Sequence, residues 1–193
     1  MNAIQLLKDD HKKVRKLLSE LEATTVRGLK TRRLLLEKIG TELRVHSKIE
    51  EEIFYPAFKA AGEKAGDDKM YFEALEEHRA AGELVLPDLE RTDPASEQFS
   101  GRAKVLKELV EHHAGEEEKE MFVRARKLLG AAELAELGAR MQRRKAELLS
   151  GAGLLEQAAV KVIDALTLGE AEYRDAPPPR QRHARGRAQM AKP

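Results

Sequence analysis

Apolar residues recur along most of this 193-residue chain at steps of three and four, the period of an amphipathic helix. The first row is Ile4, Leu7, Val14, Leu18 and Leu21, in a helix expected over about 2–25 with Asn2 as N-cap. The second, expected over 30–60, carries Leu36, Ile39, Leu43, His46, Glu50, Ile53 and Ala57, with Pro56 placed to kink it near its end. The third, over 68–91, carries Tyr71, Leu75, His78, Gly82, Val85 and Leu89, and Pro87 is expected to bend or shorten its last turn. The fourth, over 95–129, carries Phe99, Ala103, Leu106, Val110, His113, Glu117 and Met121. Gly28, the pair Gly62 and Gly66, and Thr92-Asp93-Pro94 punctuate these segments. A fifth helix is expected over 131–149 and a short amphipathic one over 154–168. No alternating strand pattern occurs.

Long helices joined by short turns must run antiparallel to their neighbours. The expected fold is all-α: an up-down antiparallel four-helix bundle over 1–130, a C-terminal helical extension over 131–168, and a disordered basic tail over 169–193. The tail holds Pro177-Pro178-Pro179, Arg180, Arg182, Arg185 and Arg187. Composition agrees, with 36% charged and 4% aromatic residues. Basic and acidic residues number 35 and 34, so no global pull toward nucleic acid or membrane is expected, the basic tail apart. The absence of cysteine excludes thiolate catalysis and thiolate-ligated metal, and fits a cytoplasmic location. The first ten residues carry no apolar run, so no signal peptide is read there, and no stretch approaches the ~20 apolar residues of a membrane span.

The polar residues inside the apolar rows change the picture. His11, His46 and Glu50 are followed at an offset of 67 by His78, His113 and Glu117, and Tyr55 by Phe122. His46 with Glu50, and His113 with Glu117, are four residues apart and share a helix face. A carboxylate buried without a partner costs several kcal/mol (~3–5 for a broken buried pair), so two inward Glu call for cations. Imidazole and carboxylate suit iron, manganese or zinc. A symmetric two-metal site follows as the expectation. His112 with Glu116 offers the same spacing one residue earlier, but the repeat favours His113 and Glu117. Glu51, Glu52, Glu116, Glu118 and Glu120 are read as solvated surface rather than ligands, Phe122 as lower-core packing, Tyr55 as lower-core packing with a hydrogen bond near the site as the alternative, and Gly82 as permitting close helix packing or leaving room for a small ligand or channel.

These segments carry a resemblance: Asp10-His11; His46 through Glu51 with Phe54-Tyr55-Pro56; Glu77-His78; and His112 through Glu117 with Met121-Phe122. Together, over roughly 1–130, the chain resembles the hemerythrin-like HHE cation-binding domains. That resemblance implies a non-haem pair of iron ions bridged by oxide or hydroxide, with zinc or manganese as alternatives. It also implies Glu50 and Glu117 as bridging carboxylates and the four histidines as terminal ligands. Oxygen-carrying members use a further histidine one turn before the position of His78. Here that position is Ala74, which favours binding of water, peroxide, oxygen or nitric oxide over reversible oxygen storage. The expected role is binding or sensing such a ligand in stress response or iron homeostasis, with a protein partner reached through the C-terminal extension. Alternatives are an enzyme reducing peroxide or oxygen, an iron buffer, and a zinc-bound or metal-free structural bundle.

Overall fold

A computed structural model describes residues 1–62 and 65–151; the short helix expected over 154–168 and the basic tail lie outside the described residues. Every regular element among the described residues is helical. Helix α1 (Ala3–Glu22) starts where the Asn2 side chain accepts from the Gln5 N–H at 2.9 Å. Such a cap is worth about 1 kcal/mol. The second rod is α2 (Leu29–Ile49), a wide π-helical turn (Glu50–Phe54) and α3 (Tyr55–Ala61). The third is α4 (Ala65–His78), a longer π-helical stretch (Arg79–Val85) and α5 (Leu86–Arg91). The fourth is α6 (Glu97–Glu116), capped by Ser96, a π-helical turn (Glu117–Met121) and α7 (Phe122–Leu128). These four rods pack as a bundle, and α8 (Ala131–Leu149) lies across α1, α2 and the Glu50–Phe54 turn.

The two prolines fall where their rods change hydrogen-bond register. Pro56 and Pro87 each sit in the first turn of the α segment that follows a π-helical stretch. There the hydrogen-bond register changes, so the missing proline N–H breaks no regular ladder.

Two apolar clusters fill the bundle. One holds Ala3, Ile4, Leu7, Phe54, Tyr55, Phe58, Phe122 and Met141 among others. The other holds Val14, Leu18, Leu21, Ile39, Leu86, Phe99 and Leu106 among others. Along α1 the first cluster ends at Leu7 and the second begins at Val14, so His11 falls between them. At the end of the second cluster, buried Arg32 donates to the Thr24 and Pro94 carbonyls and to the hydroxyls of Thr24 and Ser100, and lies over the Phe99 ring.

Candidate metal centre

All six residues expected as ligands are buried, and the four rods bring them together. His11, His46, Glu50 and Glu117 form one group, and Glu50, His78 and His113 a second, so Glu50 belongs to both. In the first, His11 Nε2 lies 3.1 Å from His46 Nε2 and 3.1 Å from Glu117 Oε2, and His46 Nε2 lies 3.2 Å from Glu50 Oε2. In the second, His78 Nε2 lies 3.0 Å from His113 Nε2 and 3.2 Å from Glu50 Oε2. Glu117 Oε2 is 3.6 Å from His113 Nε2, so it too faces both groups. Donors bound to one cation at ~2.1 Å lie roughly 3.0–3.4 Å apart, and these spacings fall in or close to that range.

Each imidazole turns Nε2 inward and Nδ1 toward a carboxylate. His11 Nδ1 is 3.0 Å from Glu118, His78 Nδ1 2.8 Å from Glu51, and His113 Nδ1 2.8 Å from Glu77. His46 Nδ1 has Asp10 as its nearest acid, at 3.7 Å, and Lys145 holds the other Asp10 oxygen. Such outer carboxylates fix the ring and its tautomer and raise ligand basicity. Glu51 and Glu118 are surface acids, 39% and 26% exposed, that also hold an imidazole. A signal was available: Asp10 with Glu77, and Glu51 with Glu118, obey the same offset of 67 as the inward residues. His113 is the inward member of its pair, and His112 is 64% exposed.

Tyr55 packs in the core and also reaches the site. Five residues past Glu50, it would sit ~140° away from it on a regular helix. The π-helical turn, closed by the Tyr55 N–H on the Glu50 carbonyl, swings it back over the site. Its hydroxyl donates to Glu117 Oε1 at 2.9 Å and lies 3.2 Å from His78 Nε2. The matching turn in the fourth rod is closed by Phe122 on Glu117, and the Phe122 ring stacks on His11 at 5.7 Å. Ala74 is buried in the same apolar cluster as Tyr55. Gly82 has nothing within 4 Å of where a Cβ would stand, so close packing does not explain it.

The electrostatics ask for positive charge. Glu50 is wholly buried and neither of its oxygens has a hydrogen-bond partner. Burial, then the charge of Glu117, push its pKa well above the ordinary 4.5. Burial works against ionised Glu117 as well, but His113, His11 and His46 outweigh it and hold that carboxyl low. Burial brings His46 down to about 4, which keeps the imidazole neutral and able to ligate. For His113, burial opposes the charged form, yet Glu117 and Glu77 raise its pKa. Burial and the Glu117 and Glu50 charges raise the Tyr55 phenol, so it stays a proton donor. A cation between these groups would satisfy the orphaned Glu50 oxygens, and the nitrogen and oxygen donor set fits iron, manganese or zinc.

Residues 2–125 match the family described as the hemerythrin HHE cation binding domain. The chain is 30% identical over 145 residues to the uncharacterized protein Rv2633c of Mycobacterium tuberculosis, covering 75% of this chain and 85% of that one. A DNA nickase of Nostoc is 25% identical over 161 residues, 80% of this chain and 44% of that one. Among solved structures, the chain is similar to a hemerythrin HHE cation binding domain-containing protein, the Rv2633c homologue of Mycobacterium kansasii. The TM-score is 0.65 and the identity 30%, over 77% of this chain and 90% of that one.

Proposed function

The chain belongs to the family of hemerythrin HHE cation-binding domains, and on that premise we propose that it holds a pair of iron ions and binds or senses oxygen, nitric oxide or peroxide. The observation that carries the reading is Glu50, fully buried, without hydrogen bonds, and a member of both donor groups. In this reading His11 and His46 hold one ion, His78 and His113 the other, and Glu50 and Glu117 span the two. An iron pair supplies reversible one-electron chemistry and open positions for a small ligand. The chain's part is to exclude water with the two apolar clusters and to keep three of the imidazoles oriented through Glu118, Glu51 and Glu77. Its ligand chemistry then serves an oxidative, nitrosative or iron-stress response.

The test is optical. Iron-loaded protein is expected to absorb in the near-ultraviolet, and the band to change when nitric oxide or peroxide is added. His46→Ala is expected to lose both. A colourless, zinc-filled protein that does not exchange for iron would contradict the reading.

One observation favours an enzyme that reduces peroxide or oxygen. The Tyr55 hydroxyl, held against Glu117 of the first donor group and His78 of the second, is a protic group between the two. An enzyme needs such a donor to protonate the departing oxygen, whereas a binding protein does not. Tyr55→Phe with full iron content is expected to lose at least tenfold in peroxide turnover, about 1.4 kcal/mol of barrier. Unchanged turnover, or none in the wild type, would leave the binding reading alone.

A further inference from the structure

Outside the buried pair, His112, Glu77 and Glu116 gather at the surface where α4 faces α6. His112 Nε2 lies 3.5 Å from Glu77 Oε1 and 3.3 Å from Glu116 Oε1. Their donor atoms all fall within 4.8 Å of one another. Both distances are longer than the 2.8 Å between Glu77 and His113. They match the edge of a tetrahedron around an ion bound at ~2.1 Å, roughly 3.4 Å.

One imidazole facing two carboxylates cannot satisfy both as a donor, since a neutral ring carries a single N–H. The i, i+4 spacing of His112 and Glu116 fixes two donors on one helix face, and Glu77 supplies the third from the neighbouring rod. The cluster is not a by-product of the internal repeat. The residue 67 positions before His112 is Val45, which is buried in the apolar core. The arrangement is therefore particular to this half.

We propose that Glu77, His112 and Glu116 form a third, solvent-accessible site for a borderline divalent cation such as zinc, cobalt or ferrous iron. Glu77 links it to the interior. One of its oxygens faces the outer ion while the other receives Nδ1–H of His113. An ion arriving from solvent thus meets its first protein ligands one carboxylate and one imidazole away from the buried donors. Three ligands on an exposed face leave water in the remaining positions, so this ion exchanges faster than the buried ones.

The site is tested by titrating metal-free full-length protein with cobalt, following the visible absorption and the bound metal per chain. Wild type is expected to take up three equivalents, the third removed first by a weak chelator. His112→Ala, a change at an exposed side chain, is expected to bind two and to lose that weak component, and Glu116→Gln to weaken it. Glu50→Gln is expected to lose inner metal yet keep one equivalent that depends on His112. Wild type and His112→Ala saturating at the same count would overturn the outer site. A single equivalent in wild type that vanishes in His112→Ala would support it while overturning the buried pair.

Discussion

Glu50 has no exposed surface, and its oxygens accept no hydrogen bond, so without metal it works against the fold. A carboxyl whose folded pKa is raised is tolerated below its unfolded value of 4.5 and penalised as pH rises above it. Glu50→Gln keeps the shape and removes that penalty. In metal-free protein at neutral pH it is expected to stabilise by about 1–3 kcal/mol and to flatten the pH dependence, while abolishing the stabilisation gained on adding iron. Urea titrations with and without metal check both halves; a metal-free variant weaker than wild type would count against a cation role for this residue. The inward histidines and glutamates were legible in the sequence because a fixed offset of 67 and a helical step locate them together. The outer acids escaped because a charged residue beside an inward one reads as surface until its neighbouring rod is known.

At the scale of elements, the π-helical turns decide what reaches the site. Ile53 is buried as regular helical periodicity predicts, but the wide turn leaves Ala57, the next inward position, half-buried and buries Phe54, Tyr55 and Phe58 completely. No side-chain pattern announces such a turn; prolines one residue past Tyr55 and Leu86, at the restart of two of the three α segments, were the available hint. Helix α8 is a second case. Gly138 approaches the chain start so closely that a Cβ would stand 2.6 Å from the Met1 carbonyl oxygen and 2.7 Å from the Ala3 nitrogen. These are backbone atoms, so Gly138→Ala must shift α8 or α1. It is expected to cost about 1–3 kcal/mol in thermal or denaturant unfolding while leaving the metal content of the folded protein unchanged.

For the whole molecule, the buried polar layer between two apolar clusters couples stability to metal. At free metal a hundredfold above Kd, one site contributes about 2.7 kcal/mol and raises Tm by roughly 5–10 °C; chelation is expected to remove that gain. Protons compete with metal for the imidazoles, so the gain is full above the histidine range and lost as pH falls through it. His113, whose pKa is raised, yields before His46, whose pKa is about 4. Loss of the buried metal in acid is therefore expected in two steps, seen as two transitions in metal retention against pH in protein whose His112 site has been stripped. The described residues contain no helix long and apolar enough to cross a membrane. The most direct test of the shared interior pair is metal per chain by elemental analysis of iron-loaded protein whose His112 site has been stripped with a weak chelator. Wild type should hold two ions, and Glu117→Ala, which removes a carboxylate facing both groups, one or none. A wild type without metal, or a variant still holding two, would contradict a carboxylate-bridged pair.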